Sequence, residues 1–191
     1  AHQHLSVKAA VVERAKAIGG TAMAFTFEPH PLKVLAPERS PRLLNTFHGK
    51  MKLFEAAGIQ VVICADFTRD FAGQDPGDFA RRILAGAIGV KEVYVGWDYA
   101  FGKGREGSIE SLRTAGAELG FTVGAVDAVQ VNGVVVSSSL VRDLVSAGRV
   151  DVPDAGRLLR RLRHAEVAVV GVPVHRRRHE LDCHLRLGRH P

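Results

Sequence analysis

Thr21-Ala22-Met23-Ala24-Phe25-Thr26-Phe27-Glu28-Pro29-His30-Pro31 carries an apolar run into a histidine bracketed by prolines. A short continuous apolar run reads as a strand covered on both faces. The prolines end it, because each lacks a ladder donor and bends the chain. Upstream, Leu5, Ala9, Val12, Ala15 and Ile18 recur at helical spacing, and Gly19-Gly20 supplies a stop. Downstream, a loop containing Pro29, Pro31, Pro37 and Pro41 leads to a helix over 47–57 and a buried strand over 60–65. A helix over 78–88 and a strand over 92–95 follow, then a loop punctuated by Gly102, Gly104 and Gly107. A helix over 108–119, a strand over 122–126, a hairpin over 129–136 turning at Asn132-Gly133, and helices over 138–147 and 152–162 complete the pattern. Alternating strands and helices predict an α/β fold: a mostly parallel sheet with helices on both faces.

At 191 residues, 46% apolar and 24% charged, the chain can bury a sizeable core. No stretch approaches the roughly 20 apolar residues of a membrane span, and Ala1-His2-Gln3-His4 lacks a secretory pattern. A cytoplasmic setting without a membrane partner is the expectation. Cys64 and Cys183 form no disulfide framework, and both are expected to be reduced. The net charge of +6 suggests nucleic acid until it is divided along the chain. Residues 157–191 hold nine Arg, no Lys and three acids, which accounts for all of it; residues 1–156 balance 17 basic against 17 acidic side chains. A balanced body with no basic stripe argues against nucleic-acid binding. Oligomeric state is left open.

Three motifs stand where strands end or helices begin, which is where open α/β sheets place ligand groups. In the first, the prolines stiffen a loop so that Phe27, Pro29, His30 and Pro31 can hold a planar ligand with one polar end. In the second, Gly96-Trp97-Asp98-Tyr99-Ala100-Phe101-Gly102, an acid among aromatics suits the amino or imino donors of a heterocycle. In the third, Ser137-Ser138-Ser139-Leu140-Val141-Arg142, hydroxyls and free N–H groups gather at a helix N-terminus, with an arginine one turn in. That arrangement suits phosphate, and Arg142 adds a forked donor set. Each has a plainer reading alone: a strand stop, a glycine-rich turn with a capping acid, and an ordinary serine cap. Only the ordered combination is specific.

With these motifs the chain resembles, over about residues 1–160, the adenylyltransferase domain of bacterial FAD synthetase, the bifunctional riboflavin kinase/FMN adenylyltransferase. The resemblance rests on T-F-E-P-H-P, V-G-W-D-Y-A-F-G-K-G-R-E-G and V-S-S-S-L-V-R-D-L-V, in the family's order. It implies a Rossmann-like nucleotidylyltransferase fold and transfer of AMP from ATP to FMN, with magnesium accompanying the nucleotide and pyrophosphate released. It also implies that Leu35 and Phe101 join Pro29–Pro31 on the flavin side, that Asp98 lies near the flavin ring, and that Ser139 and Arg142 belong to a phosphate motif.

The family's first signature runs through Phe-Asp-Gly to His-x-Gly-His. Ala1-His2-Gln3 looks like its end, with His2 as the second histidine and a catalytic candidate. The resemblance therefore implies a chain truncated at its start, with residues 161–191 an Arg/His-rich tail in place of a riboflavin kinase domain. That tail shows no apolar period and also suits an out-of-frame ending. Its His175, His179, Cys183 and His184 have permissive metal-ligand spacing. Two other readings stay open: a nucleotidylyltransferase acting on a different phosphorylated cofactor precursor, and a non-catalytic nucleotide- or flavin-binding remnant.

Overall fold

The computed structural model describes residues 7–128, 130–131, 134–135, 137–148, 167–171 and 185–188. His2, the helix expected over 152–162 and the tail residues His175, His179, Cys183 and His184 lie outside the described residues.

The first helix, α1 (Val7–Ile18), turns Val7, Val11 and Ala15 inward at intervals of one turn. It stops at Gly19, whose φ of 65° is left-handed, and the Gly20 N–H donates to the Ala15 carbonyl at 2.8 Å. Strand β1 (Thr21–Glu28) pairs in parallel with β2 (Val61–Asp66), from Met23 opposite Val61 to Glu28 opposite Asp66. Strand β3 (Val90–Gly96) pairs in parallel with β4 (Thr122–Val126).

Two further strands come from the tail. β7 (Val167–Gly171) lies between β1 and β3, antiparallel to both, and β8 (Leu185–Gly188) runs antiparallel along β2. The order is β4-β3-β7-β1-β2-β8. Four of these six strands run in one direction, as expected, and two oppose them. The sheet thus crosses the compositional boundary at residue 160. The tail has no apolar period, yet Val167-Ala168-Val169-Val170 is a short unbroken apolar run, and such a run forms a central strand without one. The expected hairpin is present as β5 (Gln130–Val131) against β6 (Val134–Val135).

Helices cover both faces. On one, α1 and α3 (Phe47–Ala56) pack Val7, Val11, Ala15 and Phe54 against Ala22, Ala24 and Val62. On the other, a π-helical segment (Phe79–Ile88) and α6 (Ile109–Leu119) pack Phe79, Ala80, Leu84, Ile109 and Leu112 against Met23, Phe25, Ile63, Val93 and Val95. Two short helices precede the π-helical segment: α4 (Arg69–Ala72), which was not expected, and α5 (Pro76–Asp78), which opens the helix expected from Asp78; Thr68 and Asp75 cap them through their side chains.

Across the α1 layer, Arg14 forks onto Glu92 of β3, donating from Nε to Oε2 at 3.0 Å and from Nη2 to Oε1 at 2.6 Å. The Tyr94 hydroxyl donates to the same carboxylate at 2.8 Å. The Tyr94 ring also covers Gly124 on β4, where an added Cβ would meet ring carbon Cε1 at 2.6 Å.

Two predictions follow from this frame. Val169 pairs with Met23 on one side and Val93 on the other, so Val169→Pro removes a ladder donor from a central strand. It is expected to cost about 3 kcal/mol or more in urea unfolding; an unchanged midpoint would mean that β7 does not hold the sheet. The Arg14 hydrogen bonds hold Glu92 below its ordinary carboxylate pKa. Because the folded form stays ionised at lower pH than the unfolded chain, this contribution is whole above the unfolded pKa and fades as acid titrates the folded group. Glu92→Gln is expected to remove about 1–2 kcal/mol at pH 7, allowing for solvent at the exposed side of Arg14, and to flatten the acid limb of the stability profile. An unaltered acid limb would show the pair to be inert.

Candidate active site

The site gathers at the carboxyl end of β1. The chain leaves the strand through a cis Glu28–Pro29 bond, and His30 then caps α2 (Pro31–Leu35). His30 Nδ1 accepts the Leu32 N–H at 3.2 Å, so the neutral ring carries its proton on Nε2 as a donor. Pro31 opens the helix at the position where a missing N–H costs nothing. The two prolines and a capping imidazole therefore fix the direction of this loop, as the sequence suggests.

Around His30 stand groups from four elements: Arg142 of α7 (Ser138–Ser146), Lys50 of α3, Lys33 of α2 and Glu28 of β1. Burial first, then the three cations, depress the histidine pKa, while Glu28 acts in the opposite sense. Arg142 Nε donates to the Arg42 carbonyl at 3.0 Å, which ties α7 to the segment after α2. Lys50 Nζ donates to Thr26 Oγ1 at 3.1 Å, and Thr26 is buried. The third motif thus acts on the first through the charge of Arg142 on His30.

The opposite face of β1 joins the first motif to the second. Phe27 packs edge-on to Phe71 at 5.5 Å, Phe71 to Phe79 at 6.3 Å, Phe79 tilts on Phe101 at 5.7 Å, and Phe101 stacks on Tyr99 at 5.4 Å. Burial in this run pushes the Tyr99 hydroxyl pKa up. Gly102 has φ 72°, and a Cβ there would meet Pro76 Cγ at 2.6 Å, so only glycine lets the loop lie on α5. The Phe101 and Gly107 backbones exchange bonds at 3.0 and 2.9 Å, closing that loop.

The remaining residues fall around this centre. Ser137 caps α7, its Oγ accepting the Leu140 N–H at 3.1 Å, while Ser138 and Ser139 form the first turn. Leu35 is exposed at the end of α2, and Asp98 is exposed just past Gly96 at the end of β3. No hydrogen bond or ion pair joins Asp98 to the His30 group among the described residues. The Phe27 ring also packs on Phe25 and Phe67, partly buried against the core on the face away from Thr26. Lys50 and the role of Thr26 were missed. A signal existed, because Lys50 stands four residues before the buried Phe54 and so shares the inward stripe of α3.

With this geometry established, comparison with known proteins decides the family. The family model described as FAD synthetase matches residues 2–140. The chain belongs to the FAD synthetase family. Among the relatives of the chain, a bifunctional riboflavin kinase/FMN adenylyltransferase of Pseudomonas fluorescens is 34% identical over 158 residues, 83% of this chain and 50% of the relative. The protein of the same name from Escherichia coli (strain K12) is 34% identical over 124 residues, 65% of this chain and 40% of the relative. The chain thus spans about half the length, or less, of these relatives. A crystal structure described as a macrolide-efflux protein from Streptococcus pneumoniae superposes with a TM-score of 0.66 at 22% identity, covering 83% of this chain and 54% of that one. At that identity the likeness establishes the fold.

The depressed histidine gives a pH prediction. The unfolded chain takes up the His30 proton before the folded one does, so acidification through the ordinary histidine range, about 6.5, works against the folded loop and breaks the cap at Nδ1. An imidazole titration by NMR is expected to place His30 below that range, and Arg142→Gln to move it upward. An unshifted titration in the native chain would remove the cationic surroundings from the account.

Proposed function

We propose that this chain carries the transfer of AMP from ATP to FMN, forming FAD and releasing pyrophosphate. The observation that supports it is the convergence on β1 of three motifs: an aromatic run on one face, a cationic group on the other, and the capped loop of His30 between them. A flavin nucleotide has a matching division between a planar apolar ring and a phosphate.

In the reaction an FMN phosphate oxygen attacks the α-phosphorus of ATP, forming one P–O bond as the bond to the β-phosphate oxygen breaks. Such chemistry depends on alignment and charge stabilisation and needs no covalent nucleophile. Ser137, Ser138 and Ser139 present the N-terminal turn of α7 to the departing phosphates, and Arg142 adds a fixed guanidinium. Pro29, His30, Pro31, Leu35, Asp98 and Phe101 place the flavin, with Phe27 supporting Phe101 through the aromatic run. His2 stabilises charge building on the α-phosphate. Magnesium accompanies the nucleotide as MgATP and neutralises its triphosphate. No helix of the described residues is long and apolar enough to cross a membrane, and phosphorylated substrates fit a cytoplasmic setting. In this reading residues 1–160 carry the transfer, and residues 161–191 supply two strands to its sheet.

The test is FAD formation and pyrophosphate release from FMN and MgATP by the 191-residue chain, with pantetheine phosphate as a competing acceptor. FMN is the expected acceptor, and Arg142→Ala is expected to lower kcat/KM by about a hundredfold. A folded chain that neither binds FMN nor releases pyrophosphate would sink the assignment, and preference for pantetheine phosphate would redirect it.

A further inference from the structure

Lys50 lies outside all three motifs, yet the fold brings it to their meeting point. We propose that Lys50 is a phosphate-binding residue of the transfer site, holding a phosphate oxygen beside Arg142 at the carboxyl end of β1. The proposal rests on AMP transfer for the identity of the phosphate, whereas the anion site itself is read from the side chains.

Lysine on a helix surface ordinarily keeps its ammonium in water at the end of a flexible stem. Lys50 instead turns inward on α3, and its ammonium is held by the hydroxyl of Thr26, a buried residue of β1. The hydrogen bond fixes the charge at the strand end. There it acts on the same ring as cations from two other helices: among the described residues the charged groups acting on His30 are Arg142, Lys50 and Lys33, with Glu28 in the opposite sense. Like charges drawn together by separate elements repel one another, and an anion with several acceptor oxygens relieves that repulsion. The donor set suits phosphate. Arg142 is oriented by the Arg42 carbonyl and presents a planar fork, His30 carries its proton on Nε2, and Lys50 supplies a compact charge anchored on Thr26. A carboxylate offers two acceptor oxygens in one plane; a tetrahedral phosphate spreads more of them in space, towards all three groups.

The phosphate can belong to the acceptor or to the nucleotide, and kinetics separate them. In the 191-residue chain, Lys50→Met is expected to raise KM about tenfold for one substrate, the loss of one charge-assisted contact, with Lys50→Arg recovering most of it. A rise confined to FMN assigns the acceptor phosphate, and one confined to ATP the triphosphate. Separately, pyrophosphate titrated into the native chain is expected to shift the His30 imidazole resonances, and Lys50→Met to weaken that binding about tenfold. Thr26→Val, which keeps the charge and loses its anchor, is expected to weaken it less. Circular dichroism checks that each variant is folded. If Lys50→Met does not fold, the Arg and Val variants decide: binding retained by Arg and weakened by Val supports the role. Equal pyrophosphate binding by the native chain and a folded Lys50→Met or Thr26→Val variant overturns it. A chain that binds pyrophosphate through Lys50 but makes no FAD would defeat the assigned reaction and leave this role standing.

Discussion

The backbone ladder of Val167–Gly171 is the constraint on which the rest depends. Its N–H and C=O groups are shared between β1 and β3, which have no direct pairing with each other. Buried backbone groups left without partners are costly, so the strand is what makes one sheet out of two parallel pairs. It also sets the distance across which the site is built. With one strand intervening, the carboxyl ends of β1 and β3 stand about two strand spacings apart, roughly 10 Å.

On that frame, β1 acts as a partition. The two-residue period of a strand sends Phe25 and Phe27 to one side and Thr26 to the other. One residue's difference in position thus separates an aromatic interior from a cationic edge. The loop beyond it, held by prolines and by the His30 cap, extends the partition past the sheet. The neutral charge balance of residues 1–156 conceals this arrangement, because a sum along the chain does not register a local group of cations such as the one about His30.

Much of this was legible in the sequence, where local chemistry decides the outcome. Helix α6 lies within one residue of its expected start because Ser108 is a strong cap, and α7 likewise follows Ser137. The hairpin could be read from Asn132-Gly133. The three motifs could be placed at element ends because strands that stop at glycine or proline leave few alternatives. What could not be read was long-range. The run at 167–170 has the residues of a strand, but nothing local says that it enters between β1 and β3. Lys50 carries a helical stripe signal, but its partner Thr26 is 24 residues away. The split of Phe27 from Thr26 follows from period two only once it is known which helices lie on which face.

Tyr94 and Gly124 show how such neighbours share one space. The ring that covers the glycine also donates its hydroxyl to Glu92, so its position is fixed at both ends. The two sites therefore make a single unit for variation among related chains. A side chain can arise at 124 where 94 has become small, and a large ring at 94 excludes anything but glycine opposite. In this fold the freedom of the β4 residue is decided by its neighbour on β3, and a comparison of sequences one column at a time would mistake that coupling for two independent preferences.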